Sequence, residues 1–450
     1  MAPVIETLAL LAAVAGGVLG RRPPVAGRRH RPSLASLFLA VAAAACAPTP
    51  PAPPAPARGV PAATANAPAP PELLSIELPG PAAEFYQTGA VSSSPLAAAI
   101  RRRFPDVAVA ACLERAAQAH ADLPAGLEQH VPLAFTEFAL HWAGCPDPTA
   151  SLSVLLTSEP GPAAMLDQLA KLLDGTSVTH VGAAASSAPL PYHSRWFILL
   201  AERRIAMLPV PTSGEPGADL PLQFRIDDRF GSATLAVTSP RGSVTTAAAG
   251  VSAGWAVAVA SLAEQIGTQW IELIGNGPAG PEVLALFPVE VGRSPPAHWL
   301  GRPATDESWV DSTAAAEALA ARLVDDDRAR FGLAPLSWDP ELADIARAHS
   351  AEMAADGYFA HVSPRTGSVV DRLQAAGYPA TFVAENIAMA PTLTEAQESL
   401  MRSPGHRAAV LTPEATHFGI GVVTRHDPRL GTVHHLTQVF VDRAQPADAP

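Results

Sequence analysis

The chain is short of cysteine, aromatic residues and positive charge. Its 450 residues hold three cysteines, Cys46, Cys112 and Cys145, and no C-x-x-C pair. A cysteine-ligated zinc site or a thioredoxin-like redox motif is therefore unsupported. Aromatics make up 6%, and much of the 48% apolar content is alanine. The formal charge is -12, so no basic face is available for a dedicated nucleic-acid binder, and no nucleic-acid partner is expected. No apolar run has the roughly 20 residues that a membrane-spanning helix needs. Against these shortages stand 47 prolines and 32 glycines, which require linkers between two to four domains.

The N-terminus carries an export pattern. Arg28, Arg29 and Arg31 precede the short apolar run Leu34 to Ala45, which suits the core of a signal peptide. The run ends in Ala43-Ala44-Ala45-Cys46, which resembles a bacterial lipobox with Ala43 where Leu is more usual. On this reading residues 1–46 are the export segment and Cys46 takes a lipid anchor. The protein then resides on a membrane of the bacterial cell envelope, periplasmic or outer, or is secreted. An earlier apolar stretch, Leu8 to Leu19, would be explained by a true start downstream, at Val25. Residues 47–71 are Pro/Ala-rich and read as a stiff, partly polyproline tether. With Cys46 lipidated, Cys112 and Cys145 remain to pair as a disulfide in an oxidising compartment, or to stay buried as free thiols.

Residues 72–206 read as an α/β domain, with helical spacing from Val109 to His120 and from Met165 to Leu173, and a strand from Trp196 to Leu200. Residues 207–297 change character. Leu222, Phe224 and Ile226, then Leu235 and Val237, then Trp255, Val257 and Val259 alternate with polar or small residues. Such short strands between Pro/Gly turns predict an immunoglobulin-like β-sandwich. Within it Gly250-Val251-Ser252-Ala253-Gly254 matches the nucleophile-elbow pattern, but a strand follows where that motif needs a helix, so a turn is expected.

After a linker at 298–311, residues 312–443 carry the clearest motifs. Asp339 is suited to cap a helix that Pro340 opens, and Leu342, Ile345, Ala346, His349 and Met353 share one face of it. Then come Gly357-Tyr358-Phe359-Ala360-His361, Asp371-Arg372-Leu373, Ala384-Glu385-Asn386-Ile387-Ala388, Ser403-Pro404-Gly405-His406-Arg407, His417-Phe418-Gly419 and His435-Leu436-Thr437-Gln438. In this order the blocks resemble the bacterial branch of the CAP superfamily, which includes cysteine-rich secretory proteins, antigen 5 and plant pathogenesis-related proteins.

The resemblance implies an α-β-α sandwich for 312–443, so the fold class expected for the whole chain is multi-domain α+β. It also implies a surface groove with two histidines and two glutamates able to bind a divalent metal. His361, Glu385 and His435 match three of them, and Asn386 accompanies Glu385. The second glutamate has no match. The Ser-Pro-Gly-His block puts His406 near that region, and Leu400 stands where a tryptophan is usual. Imidazoles and a carboxylate suit zinc or another divalent cation. Alternatively Glu385 could act as a base with His361 or His435 as acid. His349 reads as a core histidine, and Arg372 and Arg407 as loop anchors. Three functions stay open: a lipid-anchored module binding a small apolar ligand, a peptide or an envelope component; a zinc- or Glu/His-dependent hydrolase of peptide or cell wall; and an adhesive scaffold with an inert groove.

The middle region also echoes this plan. Ala116 to Ala121 resembles Ala346 to Ser350, Phe135-Thr136-Glu137 resembles Phe382 to Glu385, and Thr179-His180-Val181-Gly182 resembles Thr416-His417-Phe418-Gly419. The expectation is a degenerate CAP-like domain at 72–206 without a working groove.

Overall fold

A computed structural model describes residues 6–10, 13–14, 73–124, 127, 131–148, 150–159, 161–427 and 431–443. The basic cluster, Cys46 and the Pro/Ala-rich tether lie outside them. It is a mixed α/β structure with several sheets. No helix among the described residues is long and apolar enough to cross a membrane.

The first α/β unit runs α1 (Pro95–Arg103), β1 (Ala108–Val109), α2 (Ala111–Ala121), α3 (Leu133–Trp142), β2 (Ser151–Thr157), α4 (Ala163–Leu173), β3 (His180–Ser187) and β4 (Ser194–Ala201). Ser94 caps α1 by accepting from Ala97 N, and Pro95 opens it, as expected where a backbone N–H would lack a partner. The strand order is β2-β4-β3-β1, with β1 parallel to β3 and the rest antiparallel. Glu6–Leu10 adds an antiparallel edge strand to β2. One apolar core joins α2 and α3 to Leu152, Phe197 and Leu199; another joins α4 to Leu155, Trp196 and Ile198. Cys112 and Cys145 are bonded as a disulfide, with Cα atoms 5.4 Å apart.

The second unit comprises β5 (Ile205–Met207), β6 (Asp219–Ile226), β7 (Ser232–Thr238), β8 (Val244–Ser252), β9 (Trp255–Ser261), β10 (Gly267–Gly277) and β11 (Gly280–Val291). Strand β8 pairs with β7 over 244–249 and with β9 over 250–252, so it joins two groups, β5-β6-β9 and β7-β10-β11. Phe224, Leu235 and Phe287 from the two groups share one core. The alternation in β6 is as the sequence suggests, with Leu220, Leu222, Phe224 and Ile226 buried. In β9 it is inverted: Val257 and Val259 are exposed, while Ala256 and Ala260 are buried. Register explains this, because Ala256 lies opposite Phe224 and Ala260 opposite Leu220. Ser252 ends β8, and Ala253 (φ 50°) and Gly254 (φ 76°) form a two-residue hairpin turn, so the serine pattern is no nucleophile elbow.

The third unit runs α5 (Thr313–Arg330), β12 (Ser337–Trp338), α6 (Pro340–Asp356), α7 (Val369–Ala375), β13 (Ala380–Ala390), α8 (Leu393–Arg402), α9 (Pro404–Val410), β14 (His417–Asp427) and β15 (Gly431–Arg443). Asp339 caps α6 as expected, accepting from Glu341 N and Leu342 N. The order β13-β15-β14-β12, with β12 parallel to β14, repeats the first sheet strand for strand. Ala13–Val14 pairs with the free edge of β13. The correspondence extends to single residues. Thr179 and His180 share a 2.8 Å side-chain hydrogen bond, and Thr416 and His417 one of 2.9 Å. A Cβ on Gly182 would collide with the α2 backbone at Leu113, and one on Gly419 with the α6 backbone at Leu342 and Ala343. His120 and His349 are both buried on the helices so approached. One suggested echo fails: Phe135 to Glu137 lies on α3, whereas Phe382 to Glu385 lies on β13, whose topological counterpart is β2.

Candidate functional site: a groove with two walls

Helix α6 ends at Gly357, whose φ of 68° turns the chain back. Tyr358 and Phe359 then plug the core beside Met353 and Ile387, and this presents His361 over the sheet. His361 Nδ1 lies 3.0 Å from Glu385 Oε1. Arg372, on α7, donates to the other Glu385 oxygen and to the Gly367 carbonyl at 2.7 Å. It therefore anchors the loop and orients the carboxylate, as expected. Burial alone would raise the Glu385 pKa, but the His361 hydrogen bond and the Arg372 charge outweigh it and hold the carboxyl below its usual range. A carboxylate can only accept, so Nδ1 carries the hydrogen and Nε2 of a neutral His361 keeps its lone pair.

His406 lies on α9, its ring stacked at 20° on that of His361 with centroids 6.4 Å apart. Its Nδ1 is 2.5 Å from Ser403 Oγ. Ser403 in turn donates to Glu272 Oε1, and Glu272 Oε2 accepts from Gly405 N at 2.7 Å. Glu272 belongs to β10 of the second unit and is fully buried. Burial pushes its carboxyl up to about 7, against the pull of the Ser403 and Gly405 bonds. Burial, with the charge of His361 adding to it, pulls His406 down to about 3. Above the pH range in which Glu272 titrates, the single Ser403 hydroxyl hydrogen goes to its carboxylate, so the Ser403 oxygen accepts from His406 Nδ1–H. The lone pair of His406 is then on Nε2. Beneath the ring, Asn386 Nδ2 donates to the His406 carbonyl at 3.1 Å and to Gln438 Oε1 at 3.2 Å.

These groups line one cavity of about 330 Å³. His361, Glu385, Asn386 and His406 face Ile274, Glu282 and Val283 of the second unit. The walls are tied by Val362 N donating to Ala279 O at 3.1 Å. The structure thus brings together four of the five groove residues proposed from sequence. His435 is the exception. It is registered opposite Met389, four residues along β13 from Glu385 and so about 13 Å away, and it does not line the cavity. His349 is fully buried with Nε2 3.1 Å from the Ala360 carbonyl, a core histidine as expected. Arg407 bonds the Gly242 and Met401 carbonyls and stacks on Phe331, so it anchors loops without a carboxylate. Helix α8 supplies no groove glutamate, because Glu395 accepts from Leu133 N of the first unit at 2.9 Å.

The second-unit wall was missed from sequence. Its one visible signal was Glu272, a lone acid in the apolar run Trp270 to Ile274.

The expected metal set does not fit. A zinc site needs at least three convergent protein donors. His435 lies elsewhere, Glu385 is engaged by His361 and Arg372 and Glu282 by Arg204, and no three donors of the groove converge among the described residues. Among the described residues, donors that do converge are Cys112, Cys145 and Asp147. There the sulfurs form the disulfide and Arg203 holds both Asp147 oxygens at 2.7 Å, so that cluster is structural as well.

Residues 321–440 match the family model of the cysteine-rich secretory protein family, so this segment is a CAP domain. The chain is 36% identical over 143 residues to the uncharacterized membrane protein YlbC of Bacillus subtilis, covering 31% of this chain and 38% of that protein. It is 37% identical over 128 residues to YkwD of the same organism, covering 27% and 50%. The chain thus spans half or less of either relative's length. Among solved structures, an extracellular SCP-domain protein of Bacillus anthracis is similar at 16% identity and a TM-score of 0.27, over 65% of this chain and 82% of that one. A cysteine-rich secretory protein of Staphylococcus aureus is similar at 15% and 0.25, over 39% and 56%. Both scores are low, so the assignment rests on the sequence match.

The buried acid between the walls gives a pH signature. Its folded pKa of about 7 exceeds its ordinary value of 4.5. The stability linked to its protonation is therefore complete below about pH 4.5 and lost as pH rises through 7. His406, with a depressed pKa, has the opposite sign, so a variant comparison is needed to isolate Glu272. Urea unfolding of wild type and Glu272→Gln should show the wild type losing on the order of 3 kcal/mol relative to the variant between pH 4.5 and 8. A pH-independent difference would show that Glu272 is not held in this buried setting.

Proposed function

We propose that the protein is an exported binding module. Its CAP groove, completed by the β-rich second unit, takes a small, mostly apolar ligand or a peptide segment. The observation that carries this reading is the groove cavity with apolar walls and two imidazoles at its floor, each with Nδ1 engaged and Nε2 open. Two lone pairs side by side accept from a hydroxyl or amide, while Ile274, Val283 and Val362 receive an apolar body.

The hydrolase alternative has less support. Glu385 is pinned by Arg372 and held more acidic than usual, which makes it a weak base near neutral pH. Ser403, His406 and Glu272 superficially form a triad, but the serine is the middle member and is fully buried. A nucleophilic triad needs the histidine in the middle and the hydroxyl facing substrate. The scaffold reading, with an inert groove and a separate binding sandwich, is disfavoured because the second unit forms part of the groove.

The shared strand order and the paired details at Gly182/Gly419 and His120/His349 support reading 72–206 as a degenerate CAP-like unit and both as α-β-α sandwiches. The Cys112–Cys145 disulfide supports an oxidising compartment. Anchoring through Cys46 is the proposed means of attachment, and processing there would remove residues 1–45 and with them the edge strands Glu6–Leu10 and Ala13–Val14. Cells fed radiolabelled palmitate should label the wild type and not Cys46→Ser; label retained in the variant would remove the anchor from this account.

The groove reading is tested by calorimetric titration of the full chain with medium-chain alcohols, acyl amides and apolar tripeptides, and separately with zinc chloride. One organic class should bind saturably, His361→Ala should weaken it about tenfold, and Val369→Trp, which narrows the cavity, should abolish it. Binding that ignores both substitutions would refute the groove. One equivalent of zinc released by His361→Ala would instead make it a metal centre.

A further inference from the structure

A second cavity, of about 270 Å³, opens where all three units meet and shares no lining residue with the groove. Three of the chain's seven tryptophans line it: Trp142 from α3, Trp270 from β10 and Trp299 from the segment between the second and third units. Tyr86 and His141 complete the ring surface, and Pro288, Pro295 and Pro296 add apolar faces without donors. The rings are held from behind. Arg115 stacks 3.8 Å over Trp142, Tyr86 packs 4.8 Å from Phe287, and His141 meets Trp270 edge-on at 5.3 Å. The surface is therefore set before any ligand arrives.

Its polar groups are a mixed set. Among the described residues, none pairs with the indole N–H of Trp270 or Trp299, or with the Tyr86 hydroxyl. Those are three open donors. His141 Nε2 lies 3.3 Å from the Leu286 carbonyl, which can only accept, so a neutral His141 leaves Nδ1 as an open acceptor. The two carboxylates are already matched. Glu137 pairs with Arg402 and accepts from Ser399 at 2.7 Å, and Glu290 accepts from Arg293 at 2.5 Å and from Thr268 at 2.9 Å.

We propose that this three-unit cleft is a saccharide-binding site, in which a sugar ring stacks its C–H face on Trp270 and directs its hydroxyls to the open donors and acceptor. An acyl chain would cover those polar groups without bonding them. A quaternary ammonium would gain the ring faces, but both carboxylates are neutralised and the Arg402 guanidinium lines the same wall. A neutral ring with one apolar face and a hydroxylated edge matches both halves of the lining. This inference is independent of the groove reading.

The test is titration of the full chain with chitotriose, cellotriose and maltotriose, and with choline chloride as the cationic arm, read by tryptophan fluorescence and by the indole N–H resonances. At least one trisaccharide should shift the Trp270 and Trp299 signals saturably. Trp270→Ala should weaken binding at least about tenfold with the fold intact by circular dichroism. Because that substitution opens a void, Tyr86→Phe is the second variant; it keeps the ring, removes one hydroxyl and should weaken binding about fivefold. His361→Ala should leave the affinity unchanged. No saturable shift with any of the three sugars at millimolar concentration, binding of choline alone, or full affinity in both cleft variants would each overturn the proposal.

Discussion

The architecture depends on one carboxylate buried across a boundary between units. Glu272 leaves the β-rich unit and enters the start of α9, where it accepts from the Ser403 hydroxyl and the Gly405 N–H. Burying a carboxyl group without partners is costly, so the two units must stay in register for it to be satisfied. That register fixes Ser403, and Ser403 fixes the His406 ring. The same device recurs at other boundaries. Glu395 of α8 accepts from Leu133 N at the start of α3, and Glu307 of the linker accepts from Leu393 N and Thr394 N at the start of α8. Acids placed at helix N-termini thus join the three units, using N–H groups that the helices leave without internal partners.

A functional consequence follows from this assembly. The CAP domain supplies His361, Glu385, Asn386 and His406, but their cavity has a second wall only because Ile274, Glu282 and Val283 stand opposite. The carboxylate that holds His406, through Ser403, is Glu272, from outside the CAP domain. The groove and the β-rich unit are therefore one device. Under the proposed function, its two imidazole Nε2 atoms are the groups that would meet a donor of the ligand.

How much of this could be read from the sequence depended on the range of the interactions. Local rules worked. Asp339 and Pro340 open α6, and the alternation of Leu222, Phe224 and Ile226 gave the inward face of β6. The ordered CAP blocks, from Gly357 to Gln438, named His361, Glu385, Asn386 and His406, which line one cavity in the structure. Non-local facts were hidden. Val257 and Val259 looked inward by their apolar character, but cross-strand register with Phe224 and Leu220 put Ala256 and Ala260 inside. His435 was placed in the groove by motif, and strand register carries it four residues beyond Glu385. The pairing of Glu272 with Ser403 spans 131 positions and has no periodicity to reveal it. The likeness between the first and third sheets was visible at Thr179 to Gly182, because a glycine is needed where the helix backbone crosses the strand, and was misaligned at Phe135, where no such constraint acts.

The most direct test is nitrogen-15 NMR of the His406 imidazole in the intact chain at pH 8, above the range in which Glu272 titrates. The account requires a neutral ring with its hydrogen on Nδ1, given to Ser403, and an unprotonated Nε2 open to the cavity. A ring with its hydrogen on Nε2, or one that titrates like an exposed histidine, would mean that Glu272 does not reach α9 and that the two units do not build the groove together.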